Sequence, residues 1–154
     1  MRYWNSQPWA SLDQATTLIH REQAELAAGS HLRLGVRLGR EARLIGTCGF
    51  FSIHLQCRRA KVGYGIARES WRKGYMAEAL SALIEFGFGE LNFNRIEADI
   101  DPRNVASART LEKLGFLREG FLRQRWIVDG EVSDSALYGL LAEDWKCSPA
   151  ITSI

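Results

Sequence analysis

An α+β fold, with helices flanking a mixed and mostly antiparallel sheet, is what this chain of 154 residues predicts. Three observations carry the prediction. A strand, a basic glycine-bearing turn, a helix and a second strand follow one another over residues 62–101, and a βαβ unit of this kind makes its two strands parallel. Residues 116–128 and 131–141 read as two strands joined by the two-residue hairpin signal Asp129-Gly130, so they run antiparallel. Apolar residues recur at helical spacing over 11–29 and 75–91. The length fits one domain with its own core, and no repeat, low-complexity tract or linker divides it, so residues 1–154 are expected to form a single domain.

Residues 1–10 hold two Trp, a Tyr and a Pro without periodicity and read as an irregular segment lying on an apolar surface. Ser11 and Gln14 make a capping box for the first helix. Ala15, Leu18, Ile19 and Leu26 form its stripe, with Glu22 interrupting, and Gly29 closes it. Residues 31–38 alternate Leu32, Leu34, Val36 and Leu38 against Arg33 and Arg37, the pattern of a half-buried strand. Gly39-Arg40-Glu41 turns the chain into a more apolar strand, 43–53, where Gly46 and Gly49 predict a bulge. A polar connection, 54–59, leads to the strand 61–67. The helix 75–91 carries its stripe at Leu80, Leu83, Ile84, Phe88 and Leu91. After the loop Asn92-Phe93-Asn94, the strand 95–101 alternates Ile96, Ala98 and Ile100 with Glu97, Asp99 and Asp101, an acidic face expected to turn outward. A short helix, 105–114, ends at Gly115, the strand 116–128 kinks near Gly120, and residues 142–154 show little order beyond Trp145.

Apolar residues make up 46% and charged residues 25%, ordinary for a soluble globular protein. The net charge of +2 gives no bulk case for nucleic acid. A local patch of Arg58, Arg59, Lys61, Arg68, Arg72 and Lys73 is what such a reading would use, and the lack of an RNA-binding motif argues against it. No apolar run approaches a membrane span, and Met1-Arg2-Tyr3-Trp4-Asn5 lacks a signal core, so no membrane association and a cytoplasmic location are expected. Cys48, Cys57 and Cys147 and the histidines at 20, 31 and 54 show no ligand spacing, which points to reduced thiols and no metal.

The turn Trp71-Arg72-Lys73-Gly74-Tyr75-Met76 carries the chemistry. A helix starting there points unpaired N–H groups and a positive dipole end outward, and Arg72 and Lys73 add two charges. Gly74 removes a Cβ where a ligand would approach the backbone. A phosphate-bearing ligand fits this turn. The Gly-Lys-Ser/Thr of a Walker loop and the three-glycine dinucleotide fingerprint are both missing.

Further on, the residues become more specific than the pattern. Arg95-Ile96-Glu97-Ala98, Asn104-Val105-Ala106-Ser107, Leu111-Glu112-Lys113-Leu114-Gly115-Phe116 and Glu119-Gly120, together with Gly63-Tyr64, the turn 71–75 and Glu78-Ala79, resemble the GNAT acyltransferases. The branch they resemble is the RimJ/RimL type of protein N-terminal acetyltransferase, over about residues 46–145. The resemblance implies acetyl-CoA as co-substrate. Its pyrophosphate would sit on the N–H groups of Arg72, Lys73, Gly74, Tyr75 and Met76. Its pantetheine arm would pair with the backbone of Ile66 and Ala67 between two parallel strands that splay apart. Asn104 would contact the arm, and Ser107 would hydrogen-bond the departing CoA sulfur as the catalytic residue. The acceptor is an amine, of a protein N-terminus or a small molecule, entering from the opposite side of the cleft. Asp134 and Tyr138 are candidates to approach it, with a core place as the alternative for Tyr138. Glu97 and Asp99 are candidates to relay a proton, with a solvated acidic face as the favoured alternative.

Several positions depart from the family pattern. Met76 crowds the pyrophosphate unless its side chain turns into the core. Lys61 stands where many relatives carry a basic Glu, and Leu111 where other branches carry a tyrosine acid, so Ser107 is expected to serve alone. Relatives have a strand and a helix before a segment like Met1-Arg2-Tyr3-Trp4. Their absence predicts an exposed edge at the strand 31–38. Lys61 and the short N-terminus motivate a second reading, a non-catalytic acetyl-CoA-binding regulatory module. Oligomeric state, a homodimer included, is left open.

Overall fold

The computed structural model describes residues 10–39 and 43–147. All but Ala10 of the expected irregular segment 1–10, the middle of the turn at Gly39 and the chain beyond 147 lie outside the described residues. Eleven elements follow in order: α1 (Leu12–Ala27), β1 (Leu32–Leu38), β2 (Arg43–His54), β3 (Arg59–Ile66), a 3₁₀ turn (Arg68–Ser70), α2 (Tyr75–Gly89), β4 (Arg95–Ile100), α3 (Val105–Lys113), β5 (Leu117–Val128), β6 (Glu131–Leu141) and α4 (Ala142–Cys147). The six strands form one sheet in the order β1-β2-β3-β4-β6-β5. Every neighbouring pair is antiparallel except β3 and β4, which run parallel as the βαβ reading requires. Among the described residues, strand β1 forms one edge of this sheet.

The two faces of the sheet differ in chemistry. One carries the core: Phe50 of β2, Ala60 and Val62 of β3, Ile96 and Ala98 of β4 and Leu140 of β6 pack against Leu80, Leu83 and Ile84 of α2 and Leu111 of α3. Trp145 of α4 joins this side, its ring beside Phe88 and its indole N–H donating to Glu85 at 2.6 Å. The other face carries ion pairs: Arg59 to Glu97 at 3.3 Å, Arg95 to Glu97 at 2.9 Å, and Arg95 to Glu119. α1 reaches this second side through Glu22–Arg33 at 2.9 Å and Glu25–His31 at 3.4 Å, and it buries none of its residues.

Three expectations need correction in whole or in part. The capping box is half made: Gln14 accepts from the Ala10 N–H at 2.7 Å, while the Ser11 side chain makes no cap bond. The bulge expected in β2 lies beside Gly46: Val36 pairs with Gly46 and Arg37 with Leu44, so Ile45 is the extra residue, whereas Gly49 pairs in register with Arg33. Both glycines also let backbones close up, since a Cβ at Gly46 would lie 2.4 Å from the Gly65 carbonyl and one at Gly49 2.1 Å from that of Leu32. A second irregularity follows Phe51. Residues 142–147 form a helix, α4, whose apolar content is too short to show a period. The kink near Gly120 is present as a register shift between Arg118 and Gly120, and a second shift follows between Leu122 and Trp126. Among the described residues no helix is long and apolar enough to cross a membrane.

Candidate active site

The site begins where the parallel pair stops. β3 and β4 share only the rungs Arg59↔Arg95, Ala60↔Ile96 and Lys61↔Glu97. β3 then continues to Ile66, held by β2 through Gly46↔Ile66, and β4 continues to Ile100, held by β6 through Ile100↔Ala136. Each strand is thus fixed on its outer side while a gap opens between them.

The hydrogen-bond parity decides which groups face that gap. The Ala67 N–H donates to the Ile45 carbonyl at 2.7 Å, just past the Gly46↔Ile66 pair. In an antiparallel ladder the next residues back alternate, so Tyr64 and Ile66 turn their peptide groups away from β2 and into the gap. The Ala142 N–H bond to Asn94 at 3.0 Å sets β4 likewise and turns the Asp99 peptide groups into the gap from the other side. This corrects the expectation for Ala67. Its N–H faces β2, and its carbonyl accepts from the Ser70 N–H at 2.9 Å. Ile66 faces the gap, with its carbonyl taking the Trp71 indole N–H at 2.9 Å.

That indole bond ties the turn to the end of β3. Arg72 (φ 60°) and Gly74 (φ 81°) are both left-handed, and Gly74 is the N-cap of α2. A Cβ on Gly74 would meet nothing within 4 Å, so the glycine answers the backbone conformation, and the space before it is open. The Gly74 carbonyl accepts from the Glu78 N–H at 3.1 Å, and no side chain caps the N–H groups of the first turn. Met76 is 8% exposed and lies in the core, so it does not crowd this turn. Arg72 and Lys73 are exposed beside it. Glu69 stands nearby, held below the usual carboxylate range chiefly by its own backbone N–H and by Arg43 at 2.7 Å.

On the core side of the gap, Asn104 caps α3 by accepting from the Ser107 N–H at 3.2 Å. Ser107 is buried, and its hydroxyl shares a 2.6 Å hydrogen bond with the Tyr64 hydroxyl. Burial pushes Tyr64 up to about 12, with the Ser107 bond pulling the other way, so Tyr64 keeps its proton through the neutral range. The expectation that Ser107 serves alone is therefore corrected: a tyrosine is present, supplied by β3 and 43 residues away in sequence. The signal that would have found it is a Tyr alternating with the buried Val62, whose hydroxyl needs a partner on the helix side.

On the ionic side, the acidic face of β4 does not turn to solvent. The Asp99 side chain is 7% exposed, accepts from the Ser135 hydroxyl of β6, and lies 3.7 Å from Lys61. Beyond it a polar cavity of about 320 Å³ opens at the end of β4, lined by Asp101, Arg103, Gln124, Ser133 and Asp134 among others. Arg103 holds Asp101 below the usual carboxylate range. Tyr138 lies in the core with its hydroxyl donating to Glu112 at 3.3 Å, so of the two β6 candidates only Asp134 lines this cavity.

Residues 1–117 match the family model described as the acetyltransferase (GNAT) domain. The uncharacterized N-acetyltransferase p20 of Bacillus licheniformis is 35% identical over 144 residues, covering 94% of this chain and 81% of its own. The ribosomal protein uS5-alanine N-acetyltransferase of Escherichia coli (strain K12) is 32% identical over 118 residues, covering 76% of this chain and 61% of its own. Among solved structures, Mycobacterium smegmatis RimJ in complex with CoA-disulfide superposes with a TM-score of 0.81 at 27% identity, covering 87% of this chain and 64% of that one.

Proposed function

Because the chain belongs to the GNAT acetyltransferase family, in its RimJ/RimL-like branch, we propose that its gap between β3 and β4 holds the acetyl-CoA thioester beside Ser107 for attack by a peptide α-amine. The chain is an acetyl-CoA-dependent N-acetyltransferase. What is proposed is the use of the site and the acceptor. The observation that carries it is the end of parallel pairing at Lys61↔Glu97, with the Ser107–Tyr64 hydrogen bond at the opening that results.

The division of labour follows from the chemistry. The first-turn amides of α2, at Gly74, Tyr75 and Met76, bind the pyrophosphate, with Arg72 and Lys73 adding charge. The backbone of Tyr64 and Ile66 aligns the pantetheine arm as an added strand, and the side-chain NH2 of Asn104, whose oxygen caps α3, contacts it. The amine nitrogen attacks the thioester carbonyl carbon, the C–S bond breaks, and the sulfur leaves best beside a hydrogen-bond donor. Ser107 is that donor, and Tyr64 holds its hydroxyl in place. No covalent enzyme intermediate is needed.

The acceptor reading draws on the Escherichia coli relative, which by name acts on the alanine of a ribosomal protein. In the cavity at the end of β4 Arg103 already pairs with Asp101, and the Asp134 carboxylate is the group that supports a cationic amine there. The test is CoA release from acetyl-CoA with a peptide beginning with alanine and, separately, with small alkyl amines. Release with the peptide is expected. In Ser107→Ala, kcat is expected to fall by about tenfold or more, on the scale of lost proton-transfer assistance, with acetyl-CoA affinity kept. Release with small amines alone would replace the acceptor, and an unchanged kcat in Ser107→Ala would remove Ser107 from the chemistry.

A further inference from the structure

We propose that Asp99 takes the proton of the attacking amine. This rests on the acetyl-transfer reading above and goes beyond it, because Ser107 and Tyr64 serve only the leaving sulfur. The starting observation is an incomplete hydrogen-bond set. Asp99 Oδ1 accepts from the Ser135 hydroxyl, whereas Oδ2 is buried with no hydrogen-bond partner. Its nearest charge, Lys61 Nζ, is 3.7 Å away, an ion pair too long for a hydrogen bond. A buried carboxylate oxygen without a donor costs stability unless something arrives to complete it.

Position makes that something an amine. Asp99 is two residues past the last parallel rung, Lys61↔Glu97, so it lies on the open part of β4. Its backbone faces the gap, and its side chain lies on the ionic face, opposite the core face from which Ser107 and Tyr64 approach. The thioester between the strands is thereby flanked by a proton donor on one side and a proton acceptor on the other. A polar cavity opens at the end of the same strand, lined by Asp101, two residues on from Asp99, and by Asp134 of β6, one residue before Ser135.

The surroundings hold the carboxylate still. Ser135 fixes one oxygen, and Trp126 of β5 donates its indole N–H to the Ser135 hydroxyl at 3.3 Å, which leaves the hydroxyl proton for Asp99. The charged groups facing this spot are Lys61 and Arg59 from β3, Glu97 and Arg95 from β4, and Glu119 from β5. All but Lys61 are satisfied by one another, through Arg59–Glu97, Arg95–Glu97 and Arg95–Glu119. Lys61 is the cation left beside Asp99, at 3.7 Å from Oδ2.

The step balances. An α-amine of pKa about 7.7–8.0 arrives largely as an ammonium near neutral pH. Asp99 Oδ2 takes one proton and leaves a neutral nitrogen. The nitrogen lone pair forms the C–N bond, and the C–S bond breaks. The second nitrogen proton ends on the CoA sulfur, and Asp99 returns its proton to solvent. The net products are the acetamide, CoA thiol and one released proton.

The test uses the whole chain, acetyl-CoA and a saturating peptide beginning with alanine, with CoA release followed across pH, and acetyl-CoA binding measured by calorimetry. In Asp99→Asn, which keeps the shape and the Ser135 contact, binding is expected to be unchanged. kcat is expected to fall by about a hundredfold near neutral pH, the usual contribution of a general base. The deficit should shrink as the pH rises above about 8, where the amine loses its proton unaided. In Asp99→Ala, added formate should restore part of the rate. A deficit that stays constant across pH and that formate leaves untouched overturns the assignment, as does an Asp99→Asn variant that turns over like the unaltered chain. If the unaltered chain releases no CoA with any amine, the acetyl-transfer reading itself fails and this assignment with it.

Discussion

The two faces of the central sheet are held by different forces. Under α2 and α3 the face is apolar and closed: Phe50, Leu80, Ile84, Ile96 and Leu111 are all fully buried. On the opposite face the contacts are ionic and half-exposed, and α1 meets it without a buried residue, leaving Ile19 and Leu26 each 54% exposed. The difference teaches where an active site can be assembled. The gap between β3 and β4 passes from one face to the other. The Ser107–Tyr64 hydroxyl pair comes from the apolar side, and the Asp99 carboxylate, 3.7 Å from Lys61, comes from the ionic side.

The largest effect should come from breaking the closed face. Leu80→Ala removes a fully buried side chain of α2 and is expected to cost about 2–5 kcal/mol by urea unfolding. Leu26→Ala, the same substitution on α1, should change stability by no more than about 0.5 kcal/mol. Equal costs would mean that the two faces are packed alike and would dissolve the contrast.

Next comes the hydroxyl pair. Burial pushes Tyr64 up to about 12 in the folded chain, against an ordinary tyrosine value of about 10 once unfolded. Between these values the unfolded chain has lost the proton and the folded chain still holds it. Stability is therefore full below about pH 10 and falls as pH rises toward about 12, by roughly 2–3 kcal/mol. Tyr64→Phe should flatten that part of the alkaline unfolding profile. An alkaline profile identical to that of the unaltered chain would show that Tyr64 reaches solvent.

Much of this was legible in the sequence, for physical reasons that also mark the limit. Strand alternation and the order strand, turn, helix, strand fixed the parallel pair, because local spacing decides which residues share a face. Ser107 and Asn104 stood out because α3 needs a cap and the motif around them is local. Tyr64 beside Ser107 and Ser135 beside Asp99 were hidden, because each pair joins residues from different elements and only the strand order brings them together. The outward reading of Asp99 failed for the same cause: alternation shows that Glu97 and Asp99 share a face, not that Arg59, Lys61 and Arg95 occupy it as well. Ala67 was misassigned because which peptide groups face the gap depends on the ladder with β2, one residue of parity that composition does not carry.

A smaller effect tests the turn between the faces. Gly74→Ala places a Cβ in open space, so no clash follows, but φ of 81° costs an L-residue about 1–2 kcal/mol. The expected result is a modest loss of stability, with a larger loss of CoA affinity as the first-turn amides of α2 shift. A loss of stability with unchanged CoA binding by calorimetry would take the pyrophosphate away from this turn.

The smallest effect belongs to the ionic face, and its size decides how literally the contrast should be taken. Glu119 accepts both arms of the Arg95 guanidinium, which holds its carboxyl below the usual range. The sign is that of a lowered carboxylate: the pair stabilises above the free glutamate value of about 4.3 and ceases to do so as pH falls through the lower folded value. The Glu119 side chain is 41% exposed, so solvent screens most of the interaction, and Glu119→Gln should cost no more than about 1 kcal/mol near neutral pH. The cost should fade in molar salt and vanish in acid. If it instead persisted in salt and approached the Leu80→Ala loss, the ionic face would be a second core in its own right. Asp99 would then be a structural member of it rather than a carboxylate waiting for a proton.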